Sequence, residues 1–147
     1  MAVDITTESE IARARDLVAE FAIDPDNATL WYRNIKAVEW RTPRPLAVGS
    51  KVAFVAAFLG RRMEYTYEIV DLTPAERLTM RTADGPFPME TTYTWITTAR
   101  ETTKMTLRNR GQPSGFARMG AGALAKAMTR ANRKDLLSLK QILERQT

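Results

Sequence analysis

Cysteine and histidine are both absent from this 147-residue sequence. Their absence excludes disulfide bonds, thiolate nucleophiles, zinc sites of the usual cysteine and histidine kind, and every catalytic triad that depends on histidine. Any catalysis must therefore use carboxylates, tyrosine, lysine, arginine or bound water. Oxygen-only metal sites need clustered acidic residues, and the sequence has no run of the D-x-D-x-D-G kind. We expect neither a metal nor a cofactor.

Long apolar segments are also absent, because no hydrophobic run approaches the roughly 20 residues needed to cross a bilayer. The first ten residues contain Asp4, Glu8 and Glu10 and lack the basic and apolar regions of a secretory signal. We therefore expect a cytoplasmic protein. A chain of 147 residues has the common size of one domain, and we expect a single domain over residues 1–147.

The formal net charge of +5 raises the question of a nucleic acid or an anionic membrane as a partner. The charge is uneven, because residues 1–33 are mainly acidic and residues 115–147 mainly basic. We favour a solvated basic helix face balanced by the acidic N-terminal segment, and expect no nucleic acid partner. Peripheral membrane docking is the alternative, through a helix face that combines these side chains: Arg118, Lys126, Arg130, Arg133, Lys134 and Lys140.

The middle of the chain has the two-residue alternation of apolar and polar side chains that is typical of half-buried strands. Turn residues separate the alternating segments. The pattern predicts one antiparallel sheet with one dry face. We expect strands near Val3–Ile11, Ile35–Trp40, Ser50–Leu59, Met63–Ile69, Arg77–Thr82, Phe87–Thr97 and Thr103–Arg110.

Two short helical segments are predicted between the first two strands. The first covers Arg13–Phe21 and places Leu17, Val18 and Phe21 on one face. The second follows Asp24 and carries apolar side chains towards the next strand. After the last strand, the spacing of apolar residues changes to that of a helix.

The C-terminal helix is predicted to begin at Ser114, a candidate N-cap, and to continue to about Gln146. Its segment Met119–Met128 consists mainly of small residues and methionine, whereas Leu136–Leu143 is rich in branched aliphatic residues. Small side chains against the sheet allow a cavity there. Close packing of helix and sheet without a void explains the same composition, and the sequence leaves both alternatives open.

Four segments of the chain, in this order, carry a resemblance to a known family. They are Phe21–Asn27 followed by Trp31, the Gly49-Ser50 pair, the Val70–Leu78 corner and the terminal Leu136–Glu144 stretch. The sequence resembles the START-like (SRPBCC) superfamily, and in particular bacterial proteins labelled polyketide cyclase/dehydrase. The resemblance implies an α+β helix-grip fold, in which a curved seven-stranded antiparallel sheet wraps a long C-terminal helix. In such proteins, the cavity between them accommodates lipids, sterols, polyketides, plant hormones or isoprenoid quinones.

The favoured function is the binding of a small hydrophobic ligand of the polyketide, lipid or isoprenoid class. The alternative is a polyketide cyclase/dehydrase in which Tyr65, Tyr67 or Tyr93 acts as an acid and Asn109 stabilises an enolate. No inward-facing carboxylate is evident on four of the strands, so the cyclase/dehydrase alternative lacks a catalytic base. We expect these side chains to bind the ligand: Trp31, Phe54, Phe58, Met63, Tyr65, Tyr67, Met80, Met89, Thr91, Tyr93, Trp95, Met105, Asn109, Phe116, Met119 and Ala123.

Overall fold

The computed structural model describes residues 2–113, 116 and 119–146. Within them, seven strands form one antiparallel sheet in the order β1-β7-β6-β5-β4-β3-β2. Each strand from β2 to β7 pairs with its neighbour in sequence, and β1 closes the order by pairing with β7. The strands are β1 (Val3–Ile11), β2 (Ile35–Trp40), β3 (Lys51–Phe58), β4 (Arg61–Thr73), β5 (Arg77–Asp84), β6 (Met89–Ala99) and β7 (Thr102–Gly111).

The helices occupy the two places that the sequence predicts. Between β1 and β2 lie α1 (Arg15–Ile23), a 3-10 turn (Pro25–Asn27) and α2 (Ala28–Trp31). After β7, the long helix α3 (Ala121–Arg145) crosses the sheet. This arrangement is the α+β helix-grip architecture, and the predicted fold class is confirmed.

One face of the sheet is buried because apolar side chains alternate with polar ones along the strands. In β7, for example, Met105 and Leu107 are fully buried. Lys104, before Met105, and Thr106, between the two, are only partly buried. The buried face packs against the helices in a core that includes Leu136, Leu139 and Leu143 of α3. A second, smaller cluster joins Val3, Phe116 and Leu124.

Hydrogen bonds fix the C-terminal end of α3 to the end of β1 and the residues that follow it. Lys140 Nζ donates to the carbonyl oxygen of Glu10 at 2.6 Å, and Glu144 Oε2 accepts the backbone N–H of Ala12 at 2.8 Å. Arg13 Nε donates to the carbonyl oxygen of Leu143 at 2.7 Å. These bonds join residues about 130 positions apart in the chain and hold this end of the helix against the sheet.

The acidic N-terminal strand finds partners on β7. Arg108 forms a two-point ion pair with Asp4, at 2.9 and 2.6 Å, and Lys104 Nζ lies 4.0 Å from Glu8. Two residues of the predicted basic helix face stand apart from the others. Lys140 is one of the residues that bond the end of α3 to β1, and Arg118 lies outside the described residues. The other members of this face are exposed and take part in no ion pair within the described part of the chain: Lys126, Arg130, Arg133 and Lys134.

The predicted start of the long helix is wrong. The helix begins at Ala121 rather than near Ser114, which itself lies outside the described residues. Gly120, the residue before the helix, has a φ of +79°, a backbone conformation that interrupts a right-handed helix and favours glycine. With 25 residues, α3 is about 37 Å long at the helical rise per residue.

Two smaller expectations are also corrected. Leu17 is 53% exposed, because α1 packs through Val18, Ala19 and Ala22 instead. The alanines on that face let the helix lie close to the sheet. β4 also continues to Thr73, beyond the predicted end of this strand at Ile69.

Leu139 and Leu137 provide a matched test of how α3 packs. Leu139 is fully buried, whereas Leu137, two residues earlier, is 51% exposed. We expect Leu139→Ala to lower the free energy of unfolding by about 2–5 kcal/mol, because it leaves a cavity in the core. Leu137→Ala should change it by less than about 0.5 kcal/mol. Urea unfolding measures both, and similar losses in the two variants would contradict this packing.

Candidate functional site

A cavity of about 180 Å³ lies between the inner face of the sheet and α3. The α1–α2 region contributes Ala22, Ile23 and Ala28 to its wall, and the strands contribute most of the remaining surface. From α3, Leu124 and Met128 face the cavity, together with residues one and two turns further on. Leu124 and Met128 of the small-residue half line the cavity, whereas Leu136, Leu139 and Leu143 of the branched half belong to the packed core.

Aromatic rings form much of the cavity wall. The rings of Phe54 and Tyr65 stack with centroids 5.6 Å apart, and Tyr67 meets Tyr65 edge to face at 5.1 Å. At another place on the wall, the ring of Phe116 meets Phe58 and Phe87 edge to face, at 5.6 and 6.2 Å. These contacts between neighbouring rings fix their orientation, because edge-to-face and offset arrangements are preferred.

One chain of polar groups crosses the sheet inside the cavity. Thr91 Oγ1 donates to Asn109 Oδ1 at 2.6 Å, so the hydroxyl of Tyr67, 3.0 Å from Thr91 Oγ1, acts as the donor to it. All three side chains line the cavity. Burial raises the pKa of Tyr67, and the phenol stays protonated at neutral pH.

Tyr32 and Tyr93 form a second polar group, in which the two hydroxyls hydrogen-bond to one another. Tyr93 comes from β6, and Tyr32 is the residue at the end of α2. Burial raises the pKa of each hydroxyl well above its ordinary value, and it does the same for Tyr65. The three phenols are therefore hydrogen-bond donors and acceptors rather than phenolates.

Asp135 brings a carboxylate to the cavity from α3. Its side chain is 3% exposed, and Oδ1 accepts the backbone N–H of Arg33 at 3.0 Å. Burial raises the pKa of Asp135 to about 6, against the lowering effect of the N–H and the charge of Arg33. This group can exchange a proton near neutral pH, which an ordinary aspartate does not.

The structure brings eleven of the sixteen predicted site residues to the cavity wall. They come from five of the strands, β3 to β7, and from the segment before α3. They are Phe54, Phe58, Met63, Tyr65, Tyr67, Met80, Met89, Thr91, Tyr93, Asn109 and Phe116.

The other five predicted residues do not line the cavity. Trp31, Trp95 and Met105 are buried in the filled core behind it, where the rings of Trp31 and Trp95 pack against Tyr93 with centroids 5.9 and 6.0 Å apart. Met119 and Ala123 are exposed. Ala123 does not line the cavity, because the lining positions of α3 begin one residue later, at Leu124.

Tyr32, Asn132 and Asp135 line the cavity and were missed in the sequence. For Asn132 and Asp135 the signal was present in α3, because they recur with Leu124 and Met128 at the three- and four-residue spacing of one helix face. Alternation along the strands shows which strand carboxylates face inward, and it carries no information about Asp135, which lies in α3.

Two further properties bear on the chemistry open to this site. In the described part of the chain, no three acidic residues come together in a way that would hold a metal ion. No described helix combines the length and the apolar character needed to cross a membrane.

The fold recurs in proteins of distant sequence. A START superfamily protein from Mycobacterium smegmatis superimposes with a TM-score of 0.85 at 11% identity, covering 98% of this chain and 99% of that one. The Zhui aromatase/cyclase from a Streptomyces species gives 0.79 at 19% identity, covering 99% and 95%. The major latex-like protein 151 from Panax ginseng gives 0.72 at 17% identity, covering 97% and 95%.

Sequence comparison identifies the family directly. No curated protein is significantly similar in sequence to this chain. The model of the family described as polyketide cyclase / dehydrase and lipid transport, however, matches residues 2–144. The match covers nearly every residue of the chain, and it agrees with the architecture of the sheet and α3. The chain therefore belongs to the polyketide cyclase/dehydrase and lipid transport family, with a START-like fold.

Proposed function

We propose that this chain acts as a single ligand-binding domain that holds a small hydrophobic molecule of the polyketide, lipid or isoprenoid class between its sheet and α3. The cavity itself is the main support for this proposal. Its wall is mostly apolar and includes a few hydroxyl groups whose orientation is fixed by hydrogen bonds. Ligand pockets in proteins have this composition, because apolar walls provide affinity and a few polar groups fix orientation.

The cavity volume narrows the class of ligand. A volume of about 180 Å³ is below the roughly 300–1,000 Å³ common for ligand pockets. It is close to that of an engineered apolar cavity of about 150 Å³ that binds benzene. A molecule with one or two rings, or a short chain, therefore fits without rearrangement, whereas a long lipid requires α3 or the adjoining loops to move.

Ala56 and Ala53 on β3 allow the cavity to be filled selectively. Ala56 is 5% exposed and lines the cavity, whereas Ala53 lies at the opposite parity of the same strand and does not. We expect Ala56→Phe to weaken binding of 1-tetralone, a two-ring ketone, at least tenfold, because the new ring occupies the binding volume. Ala53→Phe should leave the affinity within twofold.

Titration calorimetry measures these affinities, and circular dichroism verifies that both variants fold. Equal affinities in the two variants would place the binding site elsewhere on the chain. If unmodified protein does not bind the probe, and native mass spectrometry of freshly purified protein detects no retained apolar molecule, the binding proposal fails.

A second candidate function is polyketide cyclisation or dehydration in the same cavity, and Asp135 is the observation that favours it. A carboxylate with a pKa of about 6 can remove a proton from the carbon between two carbonyl groups. The resulting enolate oxygen would accept a hydrogen bond from Tyr93 or Tyr32, whose hydroxyls lie in the same cavity.

Incubation with a reactive poly-β-ketone distinguishes this candidate from simple binding. If the chain is a cyclase, it should shift the product distribution away from the spontaneous one, and Asp135→Asn should restore the spontaneous distribution. The matched control is Asp84→Asn, which changes an exposed aspartate at the end of β5. A spontaneous distribution with unmodified protein would reject the cyclase candidate and leave the binding proposal standing.

The raised pKa of Asp135 also predicts how stability depends on pH. Between its ordinary value of 3.8 and the folded value of about 6, the folded state keeps a proton that the unfolded chain releases. The contribution of this group to the free energy of unfolding therefore falls as the pH rises through that interval. Asp135→Asn removes the effect, because asparagine does not titrate.

We expect the stability of Asp135→Asn relative to unmodified protein to increase by about 2 kcal/mol between pH 4.5 and pH 7.5. Urea unfolding at both pH values measures the difference, with Asp84→Asn as the control. A relative stability that is the same at the two values would show that Asp135 titrates like an exposed aspartate.

A further inference from the structure

Two polar side chains on neighbouring turns of α3 face the cavity with unused hydrogen-bonding capacity. Asn132 and Asp135 are 8% and 3% exposed, and both line the cavity. Asn132 Nδ2 is buried without a hydrogen-bond partner among the described residues. Within the same residues, the hydrogen bonding of the Asp135 side chain is limited to the Arg33 N–H on Oδ1.

Five other polar side chains of the cavity take part in hydrogen bonds with one another. Tyr32 and Tyr93 bond to one another, and Tyr67, Thr91 and Asn109 form a chain of their own. A ligand can pair with Asn132 Nδ2 and with Asp135 without breaking a bond, because Nδ2 has no partner among the described residues and the Asp135 side chain accepts only the Arg33 N–H there.

Buried polar groups without partners are uncommon in folded proteins, because each costs about 1–3 kcal/mol relative to a hydrogen-bonded group. An apolar residue at position 132 or 135 would avoid that cost. A ligand that pairs with both groups would recover it, and the gain would appear as affinity for ligands with the matching groups.

We propose that Asn132 and Asp135 form a two-point recognition site for a hydroxy-ketone, with the amide donating to the ketone oxygen and the carboxylate accepting from the hydroxyl. This inference rests on the proposed binding function. Residues three apart on a helix have Cβ atoms about 5–6 Å apart, so the two oxygens of the ligand lie at a similar separation. The cavity volume limits the carbon skeleton to about two rings.

Charge supports a neutral ligand with a hydrogen-bond donor. Lysine and arginine are absent from the described residues that line the cavity, and the charge of Arg33 acts on Asp135 from outside that lining, so an entering anion meets the carboxylate without a cation on the wall. An anionic ligand is therefore repelled. An ammonium ion would satisfy the carboxylate but must lose its hydration in a mainly apolar cavity, whereas a hydroxyl loses far less.

Four probes with one carbon skeleton separate the two recognition points. Tetralin has neither group, 1-tetralone has the ketone, 5,6,7,8-tetrahydro-2-naphthol has the hydroxyl, and 7-hydroxy-1-tetralone has both without an internal hydrogen bond. We expect unmodified protein to bind 7-hydroxy-1-tetralone at least tenfold more tightly than 1-tetralone. A hydrogen bond to a charged group accounts for a factor of that size.

Substitutions assign each preference to its residue. Asn132→Leu should abolish the preference for 1-tetralone over tetralin while keeping the preference for the hydroxyl. Asp135→Asn should reduce the hydroxyl preference to a few-fold, because a neutral amide oxygen is a weaker acceptor than a carboxylate. Met128→Leu, a volume-conserving change on the same cavity-lining face, should shift all four affinities together and leave the preferences intact.

Calorimetric affinities for the four probes distinguish the ways in which this inference can fail. Equal binding of all four by unmodified protein would overturn the two-point site and leave the binding function standing. Preferences that persist unchanged in Asn132→Leu and Asp135→Asn would overturn it as well. Failure of all four probes to bind would reject this inference, and the proposed function fails with it if native mass spectrometry also detects no retained apolar molecule. Unfolding curves verify that each variant is folded.

Discussion

The attachment of α3 at one end governs the whole arrangement. A sheet with one apolar face must be covered, and α3 covers it through Leu136, Leu139 and Leu143, with hydrogen bonds to the end of β1. The sheet is curled, and the cavity lies between its inner face and the part of α3 from Leu124 to Asp135. Its position thus follows from where the large aliphatic residues lie along the helix.

The cavity has two kinds of polar groups, and they differ in what they do for the fold. Tyr32 is hydrogen-bonded to Tyr93, and Tyr67, Thr91 and Asn109 form a hydrogen-bonded chain. These bonds lie within the protein and hold aromatic rings in place. Asp135 is different, because its burial raises its pKa and so opposes folding at neutral pH. A group with this effect on stability is common where binding or catalysis uses it.

The sequence predicted the sheet well because alternation along a strand determines which side chains face the core. Alternation does not tell whether an inward side chain meets a void or another side chain. Trp95 and Met105 face inward as expected, yet they are opposite one another in the filled part of the core. In α3, the prediction placed Ala123 on the wrong face of the helix. The predicted helix began too early, and small residues were preferred to the helix face that starts at Leu124.

The meeting of Phe58, Phe87 and Phe116 at one part of the cavity wall has a kinetic consequence. The three rings come from the β3–β4 hairpin, the β5–β6 connection and the segment before α3, and Phe116 contacts both of the others. A molecule that passes between them must separate two edge-to-face contacts held by three independent parts of the backbone. A ligand that enters by this route therefore does so at the rate at which these connections move apart. Tightly and loosely bound ligands would enter at similar rates.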